Sequence, residues 1–288
     1  CYTNIINEIL MQLRSHQLDS LVAMQQSDKG QIIVPTGGGK TMCMIEDAKY
    51  RFNNTRKTIV VVAPRILLAN QLSADFLEHI TNVNVLHVHS GETHHTSTTK
   101  PEEIKTFCIY PLHLHTIIFT TYHSLHRIQE ADIDVDTIYF DEAHNSVQRN
   151  FIEAVEYYSM YAQRSYFFTA TPKHSRTPKK IGMNDTDIFG GVICNVPAPK
   201  LVDEGHILPP KVMVKKIDVT DDSRFGYEKD CDHIIDTIDD VDVDKVLICA
   251  RSTKQIVNLI GLSKFASELA WRGYSYMFIT SKTGGVID

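Results

Sequence analysis

Apolar positions along the chain fall into two alternating rhythms. Short runs that are apolar almost throughout, "QIIV" (31–34), "TIVVVA" (58–63), "NVLHVH" (84–89), "TIIFTT" (116–121), "TIYFDE" (137–142) and "SYFFTA" (165–170), predict strands. Such runs suit a parallel sheet covered on both faces. Between them, "TMCMIEDAKYRF" and "ILLANQLSADFLEHI" carry apolar residues at helical spacing. Strands alternating with helices predict an α/β fold with its ligands at the carboxyl ends of the strands.

The rhythm breaks at the proline-rich "NVPAPKLVDEGHILPP" (195–210), which predicts a domain boundary. Beyond it, "KVMVKKIDV" (211–219), "KVLICA" (245–250) and "YSYMFIT" (274–280) predict further strands around an acidic stretch (221–244) and a helix. We expect a first domain over 1–200 and the start of a second α/β unit over 209–288. The opening "CYTNIINEIL" has neither an initiator methionine nor a signal-peptide layout, so a piece of a longer protein is expected.

Composition narrows the class. With 43% hydrophobic and 22% charged residues the chain reads as globular, and no apolar run is long enough to span a bilayer. The six cysteines are scattered with no C-x-x-C pair, which argues against a cysteine zinc site or a disulfide framework and for a reducing, intracellular compartment. Fourteen histidines include "HVHSGETHH" (87–95), where His87 and His89 read as one face of a strand rather than as ligands. The net charge of −6 gives no global basic footprint, so any nucleic acid would be held in a local groove. The basic loop "PKHSRTPKK" (172–180) could touch phosphates or simply be solvated.

The chemistry is concentrated in two stretches. "IIVPTGGGKT" (32–41) runs a strand into Thr36 and three glycines, then Lys40 and Thr41. Gly37, Gly38 and Gly39 allow the backbone to wrap a phosphate, and a helix starting near Gly39 aims its N–H groups at the anion. Lys40 would reach the terminal phosphates and Thr41 would ligand Mg²⁺. Val34 stands where the general pattern has glycine. "TIYFDEAH" (137–144) ends a strand in two carboxylates about 100 residues after Lys40. Asp141 would hold Mg²⁺ and Glu142 would position and deprotonate the attacking water.

These two stretches together make the chain resemble a superfamily 2 helicase of the DEAH-box type, similar to the motor of type III restriction enzymes. Further segments fall in the order the resemblance implies. "LRSHQLDSL" (13–21) resembles the adenine-recognition element, which gives Gln17 that role. "APRILLANQ" (63–71) and "TTYHSL" (120–125) resemble nucleic-acid contact motifs, implicating Pro64, Arg65, Gln71, Thr121 and Tyr122. "TAT" (169–171) resembles the element coupling hydrolysis to domain movement, implicating Thr169 and Thr171 together with His144. "VLICARST" (246–253) resembles the first motif of the second motor domain, with Arg251 and Ser252 at the tracked backbone.

The resemblance implies a RecA-like, P-loop NTPase sheet with helices on both faces, followed by an incomplete second RecA-like domain. It implies ATP and Mg²⁺ as cofactors and nucleic acid as partner, DNA ahead of RNA, with no membrane and with nuclease or other domains outside this chain. After "SKTGGVID" (281–288) neither the later glycine- and aspartate-containing motif nor the arginine-rich one is present, so feeble hydrolysis is expected of this chain alone. Three readings stay open: a helicase or translocase, the motor subunit of a restriction-type nuclease, and a non-motor ATP-gated clamp. A small-molecule kinase would not need Gln17, Tyr122 and the Thr-Ala-Thr segment together.

Overall fold

The computed structural model describes residues 13–279 apart from 53–54, 111–113, 178, 210, 213, 215–224 and 242–244. The chain divides into two compact units, Cys1–Lys211 and Val212–Asp288.

The first unit begins with α1 (Ser15–Gln26), β1 (Lys29–Ile33), α2 (Lys40–Arg51), β2 (Thr58–Ala63), α3 (Ile66–His79), β3 (Val83–Val88) and β4 (Thr96–Ser97). It continues with α4 (Pro101–Ile109), β5 (His115–Thr121), α5 (Leu125–Glu130), β6 (Thr137–Phe140) and a 3-10 turn at Ala143–Asn145. Then follow α6 (Ile152–Tyr161), β7 (Arg164–Thr169), α7 (Thr186–Phe189), β8 (Val192–Asn195) and α8 (Ala198–Asp203). The eight strands form one sheet in the order β4-β3-β5-β2-β6-β7-β1-β8, with every pairing parallel.

The all-apolar strands bury both of their faces. Val60, Val62, Ile118, Ile138, Phe140 and Phe167 point into one core with residues of α5 and α6. Their neighbours Ile59, Val61, Ile117, Phe119, Tyr139 and Phe168 point into the other core, with α2 and α3. That two-residue alternation between two apolar layers is why no polar alternation shows in the sequence. All six strands expected in this unit form. The sheet adds β4 and β8 at its edges, too short or too weakly patterned to predict.

His87 and His89 are buried, and their ring nitrogens lie 3.0 Å apart, with Ser73 Oγ 3.1 Å from His87 Nε2. Burial, with His89 and His95 nearby, pushes the His87 imidazole down to about 4, so it is neutral at pH 7. The pair is a hydrogen-bonded core feature.

The second unit contains α9 (Gly226–Val241), α10 (Thr253–Leu262) and α11 (Phe265–Trp271) around Cys231, Ile235, Ile238, Leu259, Phe265 and Leu269. Asp239 and Glu268 both take Arg272, at 2.7 Å. The strand expected over 211–219 lies mostly outside the described residues. Those expected over 245–250 and 274–280 form no ladder among the described residues, where only an isolated bridge at Phe278 occurs. A strand persists only with a hydrogen-bonded neighbour, and the regular elements described in this unit are helices.

Candidate nucleotide-binding site

Strands β6, β7 and β1 are neighbours, and because they are parallel their carboxyl ends lie together. The chain segments leaving these three ends build the site.

After β1, Val34 N–H donates to Thr169 O at 3.1 Å, and Gly38 N–H closes a turn on Pro35 O at 3.0 Å. Gly37 and Gly39 take φ of +80° and +79°, which side chains disfavour. Gly38 is glycine for space, since a Cβ there would sit 2.5 Å from Val34 Cγ1 and 2.9 Å from Pro35 O. Gly39 caps α2, which starts at Lys40 as expected. The first N–H groups of a helix have no intrahelical acceptor and form an anion site.

The N-terminal turn of α1 grips this loop. Arg14 Nη1 donates to Gly37 O at 3.2 Å, His16 Nε2 lies 2.7 Å from Gly38 O, and Gln17 Nε2 donates to Gly39 O at 3.2 Å. Three successive carbonyls are thereby tied to α1 and kept off an incoming anion. Gln17, expected to read adenine, is buried, and its Oε1 accepts Arg14 N–H at 2.9 Å. Both ends of its amide hold protein backbone. Arg14 and His16 were missed in the sequence, although both lie within three residues of Gln17.

At the end of β6 the backbone turns sharply, with Glu142 at φ +45°. This turn separates the two carboxylates. Lys40 Nζ lies 3.4 Å from Glu142 Oε1, and His144 Nδ1 lies 3.4 Å from Glu142 Oε2 and 3.1 Å from Thr169 Oγ1. Thr171 N–H donates to Thr169 Oγ1 at 3.2 Å, while Asn145 Nδ2 donates to Glu142 O at 2.9 Å. One polar chain therefore connects the glycine loop, the DEAH segment and the Thr-Ala-Thr segment.

Burial and the adjacent Glu142 push the Asp141 carboxyl up to about 6, against the pull of Lys40. Such a carboxylate is short of positive charge. Thr41, half-buried in the first turn of α2, and Asp141 offer only hydroxyl and carboxylate oxygens, the hard donors that magnesium takes. The donor set fits that ion. Thr36 is exposed on the same loop.

The residues expected to meet nucleic acid are placed differently from one another. Arg65 and Gln71 are exposed and Pro64 is half-buried, all at the start of α3. Thr121 and Tyr122 are buried. The Tyr122 ring stacks between Phe140 and Phe151, and its hydroxyl donates to Asp141 O at 2.8 Å. Tyr122 thus holds the carboxylate turn from inside the core. In the second unit Arg251 and Ser252 are exposed, and Ser252 Oγ caps α10 by accepting Gln255 N–H at 3.3 Å.

Beneath α2 lies a buried pair that the sequence did not reveal. Asp47 and Arg51 lie 3.0 Å apart, Tyr139 OH donates to Asp47 Oδ2 at 2.7 Å, and Arg51 Nη2 donates to Tyr166 OH at 3.1 Å. Burial raises the Asp47 carboxyl and Arg51 opposes the rise. The two tyrosines come from β6 and β7, so this network fixes α2 to the strands that carry the other segments.

The family described as type III restriction enzyme, res subunit, matches residues 3–174. ATP-dependent helicase SGS1 of Saccharomyces cerevisiae is 33% identical over 72 residues, 25% of this chain and 5% of that protein. The DNA-bound Type ISP restriction-modification enzyme LlaBIII superposes with a TM-score of 0.56 at 20% identity, covering 67% of this chain and 15% of that one. The helicase domain of Pyrococcus furiosus Hef gives 0.51 at 19% identity, covering 92% and 55%. The chain spans less than two thirds of each relative's length. At these identities the solved structures show the fold, which is RecA-like. The match over more than half the chain shows the rest: the chain belongs to the type III restriction enzyme res-subunit family.

Proposed function

We propose that this chain is the nucleotide-binding part of an ATP-dependent DNA helicase or translocase of the DEAH type. The observation that carries the reading is the polar connection from Lys40 through Glu142 and His144 to Thr169, spanning the ends of three adjacent strands. A glycine loop alone binds phosphate. Its linkage to a base and to a relay residue is what a motor needs.

Without nucleotide, Lys40 pairs with Glu142. Terminal phosphates compete for Lys40, and Glu142 is released to take a proton from the attacking water. That water's oxygen bonds to the γ-phosphorus as the bond to the bridging oxygen breaks and ADP leaves. Thr41 and Asp141 would hold magnesium, which when bound neutralises phosphate charge. Protonation or departure of Glu142 changes the partner of His144, and His144 passes that change to Thr169 and Thr171.

Arg65 and Gln71 supply exposed donors to a nucleic-acid backbone, so the grip is sequence-blind. DNA is the partner because the likeness extends to restriction-modification enzymes solved on DNA. Those relatives also favour a motor subunit within a restriction-type nuclease as the setting. The unit Val212–Asp288 is assigned in this proposal to a second motor domain.

Titrating a fluorescent ATP analogue into this chain and into Lys40→Ala tests the site, and a loss of affinity of at least about tenfold is expected. In the full-length protein, DNA should stimulate hydrolysis, and Glu142→Gln should lower single-turnover hydrolysis by about a hundredfold or more while ATP still binds. Equal affinity in Lys40→Ala removes the phosphate-loop assignment. DNA-independent turnover leaves a clamp rather than a motor.

A further inference from the structure

The face of the phosphate loop gripped by α1 carries a second set of chemistry-bearing residues, separate from Lys40, Asp141 and Glu142. His16, in the first turn of α1, is fully buried. Its Nε2 meets Gly38 O at 2.7 Å, and since a carbonyl oxygen only accepts, that nitrogen carries the proton. In the neutral ring Nδ1 is then left with a lone pair. That nitrogen is buried and has no hydrogen-bond partner among the described residues. A buried acceptor without a donor is costly, and such groups need an explanation.

Two further ligand-bearing side chains stand beside His16. Glu204 and His206 follow α8, with Glu204 Oε2 3.5 Å from His206 Nε2. Gly205 between them has φ +72°, its N–H donates to Val202 O at 2.9 Å, and His206 N–H donates to Leu201 O at 2.8 Å. That is a Schellman ending, which fixes the backbone presenting both side chains. One ligand atom each from His16, Glu204 and His206 lies within 4.8 Å of the others. Ser15 Oγ approaches Glu204 Oε1 at 3.4 Å.

We propose that His16, Glu204 and His206 form a binding site for a zinc-class divalent ion. Two imidazoles and a carboxylate are a common three-ligand zinc set, with water at the fourth position. Zinc–ligand bonds of about 2.0–2.2 Å put tetrahedral ligand atoms about 3.5 Å apart, the separation already present between Glu204 and His206. A ligating histidine normally gives its other N–H to a carbonyl or carboxylate, which orients the ring. Gly38 O performs that role for His16. His206 and Glu204 are partly exposed, so the ion has a way in, and small rotations of their side chains close the remaining distance. Imidazole ligands select zinc, copper or nickel over the magnesium that the hydroxyl and carboxylate set would take.

The position gives the ion a consequence. Leu201 and Ile207 flank the two ligands and pack on the glycine loop, lying 3.1 and 3.2 Å from where Cβ atoms would stand at Gly38 and Gly37. The ion would join this apolar cover to α1, which holds the loop carbonyls. It is a structural clip on the phosphate loop and leaves the reacting side untouched.

The chain, stripped with a chelator, should take up one zinc ion in a titration against a chromophoric chelator. Cobalt in its place should give visible d–d bands without thiolate charge-transfer bands. Glu204→Gln and His206→Ala, both in partly exposed positions that spare the core, should each weaken zinc binding at least about tenfold while retaining the far-UV circular dichroism of the parent. Zinc should raise the melting temperature of the parent and of neither variant. Unchanged affinity in both variants, thiolate bands with cobalt, or no uptake by the parent each overturns the site. The last outcome would leave His16 Nδ1 to a buried water.

Discussion

At the scale of single residues, the site carries stress that its chemistry explains. The Asp141 carboxyl is raised to about 6 by burial and by Glu142. A carboxyl raised in the folded state binds its proton more tightly there than in the unfolded chain. Its contribution to stability is therefore complete below the unfolded value near 3.8 and is lost as pH rises through 6. Above that, the ionised group costs up to about 3 kcal/mol, the worth of a shift of about two pH units. Asp141→Asn should accordingly be the more stable protein at pH 7.5 without nucleotide, and its advantage should fade by pH 4. Denaturation midpoints at the two pH values check this, and a constant difference would mean the carboxylate is not strained. Under the proposed role of Asp141 as a magnesium ligand, hydrolysis should be lost in the same variant, because an amide cannot replace the carboxylate charge. Functional carboxylates commonly carry such a cost.

At the scale of elements, α2 depends on what lies behind it as much as on the loop before it. Its apolar positions Cys43, Met44 and Ala48 pack on the sheet, but Asp47 and Arg51 put a charged pair into the same buried face. Removing one partner of a buried pair leaves the other charge without compensation, at about 3–5 kcal/mol. Asp47→Ala should lower stability by that amount in chemical denaturation and weaken ATP-analogue binding through a displaced α2. A loss below about 1 kcal/mol would show that Arg51 finds enough carbonyl partners without Asp47. The "EDAKYR" stretch sets Asp47 and Arg51 one helical turn apart, and the pair is buried against the sheet. Its burial follows from Tyr139 and Tyr166, which bring hydroxyls to the sheet surface where apolar groups alone would leave the pair unsatisfied.

At the scale of the whole chain, the two units should differ in protection. Central strands β2, β5 and β6 are paired on both sides and buried on both faces, whereas the described part of Val212–Asp288 has three helices around a small core. Hydrogen exchange on the 288-residue chain should show slow amides over 58–63, 116–121 and 137–140, and faster ones across α9 to α11. Equal protection in the two regions would count against this ranking. The sequence by itself determined the strand runs of the first unit, the glycine loop, the start of α2 and the pair of carboxylates. Each is a local matter: apolar periodicity, the positive φ that glycine permits, and a short polar motif at a strand end. Tertiary structure alone decided which residues meet. Strand order set Lys40 against Glu142 and His144 against Thr169, put Tyr122 inside and carried the Gln17 amide nitrogen to Gly39 O. It brought His16 to Glu204 and His206 from 188 and 190 positions away in the chain. Such contacts depend on how a parallel sheet is wound, and no window of neighbouring residues contains that information. The strands predicted over 245–250 and 274–280 show the same dependence among the described residues, since a β-type run becomes a strand only when another one lies beside it.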